Sequence, residues 1–138
     1  MEEVIRARGH PAVSATHAST LEVTTDDYLT EAGDCIIGIH ADRAPADFDP
    51  AFVEACRDES ATIRATIEVG PVRERIHGRG DPSLAFVSDR AAVIRTSDYV
   101  DDRTVLLGAD AAASDIDRGI VDRLADGGEL TLTLTVSP

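Results

Sequence analysis

The chain has 138 residues and 43% hydrophobic content, enough for one domain with a real core and too apolar for general disorder. It carries 26 acidic residues against 13 basic ones, a formal net charge of -13, and every basic residue is an arginine. No basic run is visible to displace counterions, so the ordinary electrostatic route to nucleic acid is not expected, and no apolar run is long enough to span a bilayer.

The acidic excess is mostly aspartate and lysine is absent. This pattern resembles proteins of salt-in halophiles, where molar salt shortens the Debye length to ~3 Å and screens self-repulsion. The first ten residues, MEEVIRARGH, are acidic and charged where a secretory signal is basic and then apolar, so the expected location is the cytoplasm.

Glu2 to Arg8 alternates well enough for a strand, with Val4 on one face. Gly9-His10-Pro11 breaks it, because Pro cannot donate to a ladder. Val13 to Thr16 and Thr20 to Thr24 are short and rich in Val and Thr, so both read as strands, joined in a hairpin through His17-Ala18-Ser19. Thr25 to Thr30 carries a helix-start signal with Thr25 or Asp26 as N-cap, sufficient for a short helical turn. Gly33-Asp34 leads into the apolar run Cys35 to Ile39, a buried strand. Strand, short helix, Gly-Asp and strand is also the order of barrels with a Gly-Asp box.

Asp42 to Asp47 is a loop. Asp49 caps a helix with Pro50 at its first position, and Phe52, Val53 and Cys56 share its apolar face. Thr62 to Val69 alternates apolar and polar residues, a strand with one buried face. Gly70-Pro71 then punctuates the chain. Arg73 to His77 opens a second series of strands, followed by the loop Gly80-Asp81-Pro82, a hairpin of Leu84–Val87 and Ala91–Arg95, and a short turn over Ser97–Val100. Val105 to Leu107 is buried strand. Ile116, Ile120, Val121 and Leu124 mark a second amphipathic helix, ended by Gly127-Gly128, and Leu130 to Val136 is the last strand.

The second series matches the first by offset. Adding 71 takes Arg8 to Arg79, Gly9 to Gly80, Pro11 to Pro82, Asp27 to Asp98 and Tyr28 to Tyr99. An offset of 70 then takes Gly38 to Gly108, 68 takes Asp49 to Asp117, and 67 takes Thr66 to Thr133 and Val69 to Val136. Drifting offsets between apolar segments are what loop deletions in a duplicated fold produce. The expected architecture is therefore mainly β (β-rich α+β). A single domain would comprise two structural repeats, approximately residues 1–70 and 71–138, with about five strands, one amphipathic helix and one short helical turn per half. They would form a pseudo-twofold β-sandwich or closed barrel, with Tyr28 and Tyr99 sealing the core.

Arg8-Gly9-His10, Thr16-His17, Thr20-Leu21-Glu22, Leu29-Thr30, Gly33-Asp34-Cys35-Ile36 and Ala41-Asp42 resemble the signature of an archaeal family known as domain of unknown function 371. Arg95, Ser97-Asp98, Arg103-Thr104 and Ala113 also fit. The resemblance implies a mostly β, jelly-roll-like fold and no particular activity. The chain departs from that pattern at Asp81 and near Ser88, where the family resemblance implies histidines.

His10, His17 and His40, with Asp34, Asp42 and Glu22 nearby, are of the residue types that bind zinc or another divalent transition metal. Without an HxH or HExxH spacing, they read first as turn and strand-end residues and only second as metal ligands. Arg8, Arg79, Arg95 and Arg103 are candidates for a small anionic ligand, since arginine grips phosphate or carboxylate with two prongs; the competing reading pairs each with an aspartate. Cys35 and Cys56 read as buried, inert, reduced thiols. No catalytic arrangement is recognisable, so whether the protein is an enzyme stays open. The favoured expectation is a non-catalytic small-anion binding or assembly module with a site formed by Arg8, His10, His17, Glu22, Asp34 and Arg79. The alternative is a metal-dependent hydrolytic enzyme using His10, His17 and His40. A third is a structural homo-oligomer joined through exposed strand edges.

Overall fold

Alternation decides the larger of two sheets. In β4 (Thr62–Val69) and β8 (Glu129–Ser137), Ile63, Ala65, Ile67 and Val69 and Leu130, Leu132, Leu134 and Val136 point inward and are buried, while the residues between them are threonines or charged. With two-residue periodicity, this sets one face against a core and the other against water. β1 (Glu2–Arg8) and β5 (Val72–Arg79) flank them in an antiparallel sheet of order β1-β8-β4-β5. In β1 the inward residues are Ile5 and Ala7, so Val4 lies on the outer face.

The smaller sheet has the order β3-β2-β6-β7, from β2 (Thr20–Thr24), β3 (Ile36–Gly38), β6 (Ala91–Arg95) and β7 (Thr104–Leu106). β2 and β6 are antiparallel neighbours, and each has a parallel partner outside it. Residues from both sheets and from α1 (Pro50–Cys56) and α2 (Arg118–Ala125) form one core cluster of 35 buried residues. Each large aliphatic side chain there contributes roughly 1.5–3 kcal/mol relative to exposure. The computed structural model describes residues 1–138.

The fold is thus two open four-stranded sheets, not a closed barrel. There are four strands in each half of the chain, not five. Val13–Thr16 and Leu84–Val87 form no strands: Ala15 and Phe86 sit in left-handed backbone at φ 49° and 53°, which breaks a ladder. The N–H groups of Thr16 and His17 both donate to the Asp34 carbonyl instead. Thr25–Thr30 is not helical either, because its polar groups bond outward: the Thr25 N–H donates to Arg90 O, and Asp26 O accepts from the His40 N–H. Tyr28 and Tyr99 are 55% and 60% exposed and do not seal the core. The Arg90 guanidinium donates to the Tyr28 hydroxyl, and that of Arg95 lies 4.8 Å from the Tyr99 ring centre.

The two halves run through the same order of elements, each ending in a 3-10 turn, a helix and a strand. Thr66 faces Thr133 at the middle of the larger sheet and Glu22 faces Val93 at the middle of the smaller. Local bonds recur: Glu3 accepts from the Asp49 N–H and Glu74 from the Asp117 N–H, where Asp49 and Asp117 cap the two helices. In one place the spacing differs from the offsets visible in the sequence. Ile36 and Thr104 occupy matching places beside Glu22 and Val93. The second half is therefore three residues shorter between its second and third strands, and His40, not Gly38, stands where Gly108 stands.

The Arg-Gly loops tie the halves together. A Cβ on Gly9 would overlap the Leu124 carbonyl of α2, and one on Gly80 would overlap the Cys56 carbonyl of α1. Both outer strands of the larger sheet are also partly closed. The Arg6 N–H donates to Asp42 Oδ1 and the His77 N–H to Asp110 Oδ1, and each aspartate N–H returns a bond to the same strand. Edges occupied in this way are poor templates for strand pairing, so the expected exposed edges are in part already used.

Candidate anion-binding cleft

Arg8 ends β1, where its N–H donates to Ile39 O at 3.0 Å and its carbonyl accepts from the Ile39 N–H at 2.8 Å. That short ladder carries His40 to the same end of the sheet. Arg6, Ala7, Arg8, His40, Glu129, Leu130 and Thr131 line an open cleft of about 400 Å³. Neither Arg6 nor Arg8 has a carboxylate at ion-pair distance. His40 is exposed and holds φ 56°, a left-handed conformation that costs a non-glycine residue of order 1–3 kcal/mol.

The matching place in the second half differs at several residues, with His77 in place of Arg6 and Thr62 in place of Glu129, and two further differences decide the pairing of its arginine. Arg79 exchanges backbone bonds with Leu107 as Arg8 does with Ile39. Its guanidinium, however, donates to Asp81 Oδ2 at 3.1 Å and to Gly80 O at 3.1 Å. Asp81 has a second task, its Oδ1 accepting from the Ser83 N–H at 2.9 Å. In the first half His10 stands in that place. Its Nδ1 accepts from the Ala12 N–H at 2.9 Å, so the turn is still capped, but an imidazole offers Arg8 no second oxygen. Gly108, at φ 60°, stands where His40 stands. The first half thus has the same local scaffold, no carboxylate on its arginine, and an imidazole in the same cleft.

The remaining predicted site residues lie elsewhere. His17 caps the turn into β2: its Nδ1 accepts from the Thr20 N–H at 3.1 Å and the Ser19 N–H at 3.3 Å. Ser88 does the same through its hydroxyl for Arg90 and Ala91. Asp34 acts through its carbonyl on Thr16 and His17. Glu22 stands at the centre of the smaller sheet, where burial pushes its carboxyl up against the opposing pull of Arg103, 3.3 Å away. Of Arg8, His10, His17, Glu22, Asp34 and Arg79, only Arg8 lines the cleft, joined there by His40. His10, His17 and His40 are not gathered into a metal-type set, and no three His, Cys, Asp or Glu residues are. Two of the three imidazoles spend Nδ1 on turn caps.

Arg103 also binds Asp101 at 3.1 Å, and Arg95 binds Asp101 at 2.9 Å and Thr104 Oγ1 at 2.9 Å. Burial alone would raise the Asp101 carboxyl, but bonds from Arg103 and Thr104 and the charge of Arg95 hold it down to about 2. Arg95 and Arg103 are accordingly committed to carboxylates. Both thiols are free. Burial pushes Cys56 up to about 12, and burial together with the Glu22 charge pushes Cys35 up, so neither is a ready thiolate. Arg6 is absent from the candidates that the sequence suggests. The signal that marks it is the Arg-x-Arg spacing within a strand, which puts Arg6 and Arg8 on one face.

No helix is long and apolar enough to cross a membrane. A family model described as "Domain of unknown function (DUF371)" matches residues 5–137. The chain is similar to an uncharacterised protein of Methanocaldococcus jannaschii, with 43% identity over 136 residues, covering 99% of this chain and all of that one.

Proposed function

The chain belongs to the family described as domain of unknown function 371, and from that starting point we propose that it is a non-catalytic binding module for a small oxyanion, held by Arg8, Arg6 and His40. One observation carries the reading: Arg8 is free where Arg79 is paired, in a cleft that also bears a strained, exposed imidazole. In a chain with twice as many acids as bases, an arginine without a carboxylate is available to a ligand, and a guanidinium suits the two-pronged grip of phosphate or carboxylate. Of the three non-glycine residues in left-handed backbone, Ala15 and Phe86 fill the core and only His40 is exposed, which supports a functional position for it. The scaffold is read as two copies of one ancestral unit, residues 1–70 and 71–138, of which the first carries the site; the recurring element order and bonds support this. The lysine-free, aspartate-rich composition supports a cytoplasmic, high-salt setting.

The test is a calorimetric titration with inorganic phosphate in low-chloride buffer, circular dichroism confirming the fold. Wild type is expected to bind, Arg8→Ser to lose at least tenfold in affinity, and His40→Gly to bind more weakly while unfolding at higher denaturant, because the left-handed strain is relieved. Heat of binding that is absent in wild type, or unchanged in Arg8→Ser, would remove the reading.

A further inference from the structure

The sequence shows no basic cluster, yet the larger sheet builds one. Its outer face is a grid read from strand pairing. Glu2, Thr135, Arg64 and His77 form one row; Val4, Thr133, Thr66 and Arg75 the next; Arg6, Thr131, Glu68 and Arg73 the third. Arg8 with Glu129 and Thr62 with Arg79 extend it at opposite ends. This face therefore holds six of the 13 arginines and three of the 26 acidic residues, reversing locally the sign of the whole chain. Arg73 is paired with Glu68, Arg79 with Asp81, and His77 lies 3.7 Å from Asp110. Arg6, Arg8, Arg64 and Arg75 have no carboxylate partner and are exposed. With a Debye length of ~8 Å at ~0.15 M salt and ~3 Å in molar salt, a docked ligand feels mainly this face and little of the acidic remainder.

The chemistry of the face selects its occupant. A protein partner needs apolar or aromatic anchors, and Val4 is the only large apolar side chain on this face. Single-stranded nucleic acid needs aromatic stacking platforms in succession, and this face has no Phe, Tyr or Trp and a single imidazole, His77. B-form grooves need a protruding helix or ribbon, and a flat sheet face has none. An A-form duplex instead presents a wide, shallow minor groove lined with 2′-hydroxyls and bordered by phosphates. Threonine hydroxyls flanked by guanidiniums match that pattern, donor to acceptor and cation to phosphate.

We propose that the outer face of β1-β8-β4-β5 docks double-stranded RNA through its backbone, without base readout. Arg64 and Arg75 lie outside the cleft proposed for a small anion, so the two proposals fail separately.

The experiment is fluorescence anisotropy of a labelled RNA duplex of about 20 base pairs, longer than the ~16 that a double-stranded RNA-binding domain spans, from 50 to 200 mM salt. A DNA duplex of the same sequence, single-stranded RNA and polyglutamate are measured alongside. With four guanidiniums each neutralising one phosphate, log affinity against log salt should fall with a slope of about -3.6. Arg64→Ser/Arg75→Ser should lower affinity at least tenfold and halve that slope, with the fold unchanged by circular dichroism. Arg57→Ser, an unpaired arginine elsewhere on the molecule, should change affinity less than twofold. RNA duplex should bind at least fivefold tighter than DNA duplex. Absence of binding at the lowest salt where the fold is intact, equal loss in Arg57→Ser, or equal or tighter binding of DNA, single-stranded RNA or polyglutamate would each overturn the proposal.

Discussion

At the scale of single residues, the same backbone position is given different chemistry in the two halves. His10 and Asp81 both cap a turn, but only the aspartate also holds an arginine. His17 and Ser88 are interchangeable caps. Glu22 is the costly residue: burial raises its carboxyl above the ordinary 4.5, so the fold prefers it protonated. Its contribution to stability is full below that ordinary value and is lost as pH rises through the raised one. Asp101 has the opposite sign, its contribution present above 3.8 and lost as pH falls toward about 2. Glu22→Gln should therefore gain stability relative to wild type at about pH 7 and lose that advantage near pH 4, measured by urea unfolding. An advantage that is constant with pH would show that the buried carboxylate carries no such cost.

At the scale of elements, the Arg-Gly loops join each half to a helix of the other. Gly9 and Gly80 each press against a helix carbonyl belonging to the other half, with no room for a Cβ. Gly9→Ala and Gly80→Ala should each cost roughly 3 kcal/mol or more in urea unfolding. Gly127→Ala, where a Cβ meets nothing and only the φ of 84° is violated, should cost about 1 kcal/mol. Equal costs at all three would show that backbone conformation, and not close approach, sets the need for glycine. Elements with a strict pattern are legible in the sequence. The alternation of Thr62–Val69 and Leu130–Val136 and the Asp49-Pro50 helix start all stand in the structure. Val13–Thr16 mimics a strand because its apolar residues fill the core, while Ala15 turns the backbone left-handed. The offset read into the third strand of the second half differs by two residues from the structural match, because Gly38 and Gly108 agree in type but not in place, and a histidine stands where Gly108 does.

At the scale of the whole molecule, the informative feature is where the symmetry of the chain is broken. Four of the seven arginines that lack a carboxylate partner lie on one sheet face, and one corner of that face has His10 and His40 where the other half of the chain has Asp81 and Gly108. No single stretch of sequence shows this, since the face is assembled from alternate residues of four strands. Of the predicted ligand residues, Arg8 is legible because it flanks a Gly loop. The separation of His17, Asp34 and Glu22 from it is not, because they belong to the other sheet and its loops. The most direct measurement is a crystal structure grown in selenate, with the anion located by its anomalous scattering. A site confined to the first half predicts a peak within hydrogen-bond reach of Arg8 and His40 and none at the matching place between Arg79 and Gly108. A peak at both places, or at neither, would contradict it.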